Sequence, residues 1–179
     1  MSKGRILLAV LLIFIISLGF ECSAGYVIAE NGLCVRKTPS DSGEVLEVLS
    51  FGTRVPNSKE GWVKYRGGYI NSEWVSDRSP LSLIGEWHIT AYADTGCCCA
   101  NGEYPEVGET IAQNTLPFGT KVYIEGVGVR TVEDRGPSSL GSEWCDLYLG
   151  DAGSCIAWGN QCRKVYKIVG DKKYLKKIG

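Results

Sequence analysis

Two carboxylates, Asp134 and Asp146, lie in a stretch whose residue types suit chemistry on a sugar. Residues 131–149 read Thr-Val-Glu-Asp-Arg-Gly-Pro-Ser-Ser-Leu-Gly-Ser-Glu-Trp-Cys-Asp-Leu-Tyr-Leu, a pattern that predicts strand, Gly-Pro turn and strand. In the second strand a period of two puts Trp144, Asp146 and Tyr148 on one face and Cys145, Leu147 and Leu149 on the other. The apolar face must look into the core, so the acid flanked by two rings looks out. Rings stack on pyranose faces, and a partly desolvated acid keeps its proton more readily, as a general acid must. Asp134 closes the preceding strand, close enough for the two acids to share a site. The blander reading makes Asp134 a turn cap and gives Asp146 a structural hydrogen bond.

A chain of 179 residues is one domain or two small ones, and 44% hydrophobic with 22% charged residues is ordinary globular composition. Lys3 and Arg5 precede an apolar run over residues 6–20, followed by Cys22-Ser23-Ala24, which reads as a secretory signal over residues 1–24. A transmembrane anchor competes, but the run is short for a bilayer span. Glu21 beside Cys22 argues against a lipoprotein cleavage site. No stable membrane anchor is then expected after cleavage, and the mature chain is exported. Losing Lys3, Arg5 and Glu21 leaves 17 basic against 19 acidic residues, a net of −2. That balance makes nucleic acid a poor partner.

Of the eight cysteines, Cys22 leaves with the signal and Cys34 stands apart in the first half. Cys97, Cys98, Cys99, Cys145, Cys155 and Cys162 crowd the second half and are the disulfide candidates of an exported domain, with fifteen possible pairings. Cys34 is expected to be a buried thiol. Adjacent cysteines chelate zinc poorly, and His88 is the single histidine, so no metal is expected. His88 itself reads as structural.

Residues 25–76 carry short alternating apolar runs broken by Asn31-Gly32, Pro39-Ser40-Asp41-Ser42-Gly43, Phe51-Gly52-Thr53 and Arg66-Gly67-Gly68, which predict a small all-β unit of about five strands. The order and spacing of 33–40, 45–55, 61–65 and 68–75 resemble the bacterial SH3 domain, with Cys34 where that family more often has asparagine. The resemblance implies a noncatalytic module that docks on wall peptide stems or cross-bridges, with Trp62, Tyr65, Tyr69 and Trp74 as candidate contacts. Aromatics in so small a barrel equally serve the core. Residues 77–84 read as a short polar linker.

Residues 85–93 restart strand alternation. Strands are expected at 121–124, 129–133 and 163–169, a helix at 151–159, and a basic tail at 170–179. Five motifs line up: Ile89-Thr90-Ala91-Tyr92; the cysteines with Gly102; Leu116-Pro117-Phe118-Gly119-Thr120; Val132-Glu133-Asp134-Arg135-Gly136; and Cys145-Asp146-Leu147-Tyr148 with Ala157-Trp158-Gly159. Together, over 85–169, they resemble the three-aspartate (3D) domain, a double-psi β-barrel related to membrane-bound lytic transglycosylase A and to the rare-lipoprotein-A family. The fold class implied is all-β: an SH3-like barrel, then a six-stranded double-psi barrel with one short helix.

The resemblance implies cleavage of the β-1,4 bond between N-acetylmuramic acid and N-acetylglucosamine in peptidoglycan, with Asp146 as acid and Asp134 as its partner. Trp144, Tyr148, Gln113, Asn114 and Arg135 are the candidate substrate contacts, and no cofactor is required. The family's first aspartate falls at Ala112, with Gln113 and Asn114 beside it. That departure favours the alternative, a noncatalytic wall-binding or wall-loosening protein of expansin or barwin type. The expected partners are glycan strands and stem peptides, and the expected place is the cell wall or envelope.

Overall fold

The computed structural model describes residues 23–58 and 61–170. The expected signal up to residue 22 and most of the basic tail lie outside the described residues. Residues 23–76 form two small antiparallel sheets. One has the order β4-β1-β7, from Arg54–Asn57, Ser23–Val27 and Val75–Ser76; the other runs β3-β2-β6-β5, from Val45–Leu49, Leu33–Arg36, Gly68–Asn71 and Trp62–Tyr65. Val27, Leu33, Val35, Leu49, Val55, Ile70 and Val75 fill the space between them. The β5–β6 hairpin turns through Arg66 at φ 44° and Gly67 at φ 85°. Such a two-residue turn twists as the strands do, and it strongly favours glycine where φ is positive.

The rest of the chain closes a six-stranded mixed barrel, β10-β11-β9-β12-β8-β13. Its strands are β8 (Leu81–Ala93), β9 (Thr110–Ala112), β10 (Lys121–Ile124), β11 (Gly128–Asp134), β12 (Trp144–Gly150) and β13 (Gln161–Ile168). The β8–β12 and β9–β11 pairs are parallel, the others antiparallel. The architecture is the expected one: mostly β, two small sheets plus a six-stranded ring, and one short helix, α1 (Ala152–Trp158). Trp87, Ile89, Ile111, Val122, Ile124, Val132, Cys145, Leu147 and Val165 fill the ring, and Leu149 and Trp158 pack against them.

Three details depart from expectation. Leu81 to Ile84, expected in the linker, extend β8, and Leu81, Ser82 and Leu83 pair with the end of β13 across a bulge at Ile84. The strands at either end of residues 131–149 do not pair with each other, because β9 lies between them. No disulfide forms among the described residues: Cys97, Cys98, Cys99, Cys145, Cys155 and Cys162 are all free thiols, and so is Cys34, which is half-buried. Their settings differ: Cys145 points into the barrel core, Cys99 is buried, Cys155 is half-buried, and Cys97, Cys98 and Cys162 are exposed.

Candidate functional site: a carboxylate row on the barrel wall

Strand alternation decides which side chains leave the core. In β12, Cys145 and Leu147 are buried at 0% and 2% exposure, so Trp144 and Asp146 face outward, and both are half-buried. Register then aligns neighbours on the same outer face. Asp146 pairs with Thr90 of β8 on one side and with Ala112 of β9 on the other. Beyond β9, a register shift after Val132 brings Asp134 opposite Ala112. Thr90, Asp146, Ala112 and Asp134 therefore form one row across four strands. The two acids are separated by one strand, so their backbones are roughly 10 Å apart at ~4.8 Å per strand spacing.

Adjacent rows match one to one. His88 stacks on Trp144 with ring centroids 5.0 Å apart, and Tyr92 tilts against Tyr148 at 5.3 Å. Trp144 Nε1 donates to Thr90 Oγ1 at 2.6 Å, and Thr90 Oγ1 in turn donates to Asp146 Oδ1. This relay fixes the Asp146 carboxylate and leaves its Oδ2 toward Gly136. A Cβ at Gly136 would displace the end of the Leu140 side chain and make ordinary contact, 3.5 Å, with Asp146 Oδ2.

Asp134 is held differently. Its Oδ1 accepts from the backbone N–H groups of Ala100 and Arg135, each at 2.8 Å. The loop carrying Ala100 is thereby tied to Asp134. Burial raises the Tyr92 phenol well above its ordinary value, and the Asp134 charge and the Cys99 thiol beside it push the same way. Burial pushes the Cys145 thiol up to about 12, with the charge of Asp146 adding to it. Both shifts favour the protonated form at neutral pH.

Several residues expected to contact substrate instead tie together the loops that follow β9 and β11. Gln113 is fully buried: its Nε2 donates to Thr115 Oγ1 and Ser142 O, and its Oε1 accepts from the N–H groups of Thr115 and Leu116. Its amide is consumed in holding these loops. Asn114 accepts from Gly136 N and donates to Pro137 O, pinning the loop over residues 136–140. The Arg135 guanidinium lies 3.7 Å over the Phe118 ring, and its Nη1 donates to Gln113 O. Tyr148 is 9% exposed and lies beneath Tyr92 rather than open to a ligand.

In the first unit the four aromatic candidates divide. Tyr65 and Trp74 pack against the core. Trp62 and Tyr69 sit opposite Asn71 and Lys64, on the face away from the core-facing Val63–Ile70 pair, and both are half-buried. Sequence reasoning missed Thr90, Tyr92 and Cys99 as parts of the site. The signal was available for the first two: they alternate with buried Ile89 along β8. Among the described residues no cluster of three or more His, Cys, Asp and Glu side chains is arranged to hold a metal, and no helix is long and apolar enough to cross a membrane.

No family profile matches the chain, and no solved structure matches it. One curated relative is similar over 130 residues at 25% identity: the protein named "Putative cell wall shaping protein YabE" of Bacillus subtilis (strain 168). The match covers 66% of this chain and 31% of that protein. The chain thus has a distant relative whose name places it at the cell wall, and it spans less than a third of that relative's length.

Proposed function

We propose that this protein acts on peptidoglycan as an exported lytic transglycosylase of the three-aspartate type, held to the wall by its SH3-like unit. The observation that carries the reading is the shared row: Asp146 and Asp134 face the same side of the barrel, half-exposed, with Trp144 beside the first. The distant wall-shaping relative supports the same setting.

In this reading Asp146 protonates the oxygen leaving the muramic anomeric carbon. The carboxylate so formed takes the proton of the muramic 6-hydroxyl as that oxygen attacks the same carbon. One proton is given and one recovered, the glycosidic bond breaks, and a 1,6-anhydro ring forms. Asp134 supplies negative charge near the oxocarbenium-like transition state, and Trp144 offers a stacking face. Trp62 and Tyr69 would meet the wall from the first unit.

A second reading has its own support. Ala112 occupies the usual first-aspartate position, and Asp134 already accepts two backbone hydrogen bonds, as a structural anchor would. A wall-binding barrel without bond cleavage fits those facts. Incubating purified sacculi with the protein and analysing the soluble fraction by mass spectrometry separates the two. We expect anhydro-muropeptides from the wild type. A loss of about 10²- to 10⁴-fold is expected in Asp146→Asn, with sacculus binding retained. Retention of wild-type protein on sacculi with no anhydro product would leave the binding reading alone standing.

A further inference from the structure

Away from the carboxylate row, a groove of about 390 Å³ runs between the two units. Its lining includes Asn31 and Phe51 from the first unit and Glu109, Tyr123 and Arg130 from the barrel. We infer that this groove is a second binding site, which takes a short peptide carrying both a carboxylate and an ammonium group. This rests on the peptidoglycan reading above, in which that peptide is the stem attached to the glycan.

The chemistry of the lining selects such a ligand. Arg130 is buried enough for desolvation to lower its pKa, and the nearby Glu109 charge acts in the opposite direction. Its Nη1 donates to Val129 O at 2.6 Å, and no carboxylate lies within ion-pair distance of it among the described residues. A guanidinium has five N–H donors in a fork that fits a carboxylate, so most of its capacity is open to a ligand. Glu109 accepts from Thr131 Oγ1 at 3.2 Å through Oε1, which leaves acceptor capacity for an amine. The other carboxylate of the lining, Glu30, is already paired with Lys121 at 2.8 Å. One cation and one anion side by side favour a mixed-charge ligand over a plain anion or cation.

Position supports the same occupant. Arg130 and Asp134 lie on one strand, β11, four residues and therefore about 13 Å apart at ~3.3 Å per residue. An extended peptide of four or five residues spans roughly 13–18 Å. Arg130 pairs with core Val122, and the bulge between Val132 and Asp134 puts Asp134 on the outer face, so a stem reaching from the carboxylate row to the groove passes round the barrel rim rather than along one face of β11. The open backbone at Gly108 and Gly126, where an added Cβ would meet nothing within 4 Å, leaves room for a main chain to lie close.

The test is calorimetric titration of the full chain with two probes: a tetrapeptide with one free side-chain amine and free carboxylates, and a glycan oligomer stripped of peptides. We expect Arg130→Gln to weaken the peptide at least tenfold and leave the glycan unchanged. Glu109→Gln should weaken the free-amine peptide but not its N-acetylated form, and Asp146→Asn should leave the peptide unchanged. Should either variant fail to fold by thermal melting, peptide-induced amide shifts at Gly108, Gly126 and Gly128 of the wild type decide. Shifts there support the site, and their absence overturns it. Peptide affinity within twofold of wild type in folded Arg130→Gln also overturns it. Peptide binding without anhydro products from sacculi would sink the enzyme reading alone, and products without peptide binding would sink this one alone.

Discussion

Thr90 connects the aromatic rim to the acid. Its hydroxyl accepts from the Trp144 indole and donates to Asp146, so one small side chain fixes the ring and orients the carboxylate. Hydrogen bonds to charged groups are worth about 1.5–3 kcal/mol, so misplacing the acid should cost turnover more than stability. Thr90→Val keeps the shape and deletes the relay. Release of anhydro-muropeptides should fall about 10- to 100-fold while the melting temperature barely moves, and Thr90→Ser should restore most of the rate. A Thr90→Val protein with wild-type turnover would mean that the relay does not position the acid. Trp144 and Asp146 were legible in the sequence because alternation within one strand assigns faces without knowledge of any partner. Thr90 was not, because its role depends on the parallel register of β8 with β12, a contact between residues 56 apart in the chain. The burial of Tyr148 and Gln113 was not legible for the same reason. Tyr92 and the Ser142 carbonyl, which engage them, come from elsewhere in the chain.

At the scale of elements, α1 was the most legible feature, because both of its ends are written locally. Asp151 caps it: Oδ1 accepts from Ser154 N at 2.9 Å and Oδ2 from Ser154 Oγ at 2.6 Å, and Gly159 ends it at φ 67°. Trp158 then pins the helix to the barrel by donating from Nε1 to Ile89 O at 3.0 Å. Strand β9 was illegible. Three residues carry no periodicity of their own, and Thr110, Ile111 and Ala112 form a strand because β11 and β12 sit on either side to pair with them. Yet that insertion is what sets the two acids one strand apart. The cap offers a test with a defined pH sign. The Ser154 hydroxyl and N–H hold the Asp151 carboxyl below its ordinary value. A depressed carboxyl contributes fully above its unfolded value, ~3.9, and loses that contribution as pH falls through the folded value. Asp151→Ala should therefore speed amide exchange several-fold at Ser154 and Cys155 near neutral pH. The difference from wild type should shrink toward nothing in acid below that range. Equal protection at neutral pH would show that Trp158 alone holds the helix.

In the whole molecule, the two units are joined by more than a connector. Ile28 and Phe51 from the first unit form one apolar cluster with Leu81, Tyr123, Val129 and Ile168 of the barrel, and Lys121 pairs with Glu30 beside it. Phe51 and Tyr123 meet with ring centroids 6.1 Å apart, and Tyr123 also tilts against Tyr166 at 6.0 Å. The extension of β8 to Leu81 makes this joint continuous with the barrel wall, leaving a stiff junction where the sequence suggested a polar linker. In the proposed reading, this joint would set the spacing between the Trp62 and Tyr69 face and the carboxylate row. It also couples stability. Units that share a buried cluster should unfold together, whereas units tied by a linker should unfold separately. Scanning calorimetry should give one transition for the wild type. Tyr123→Ala removes the ring that the first unit packs against while leaving both internal cores intact. It should split the trace into two transitions, the first unit melting earlier because it is the smaller. Two transitions in the wild type would show that the cluster does not couple the units. A single transition in Tyr123→Ala would place the coupling in the Lys121–Glu30 pair and the β8 extension instead.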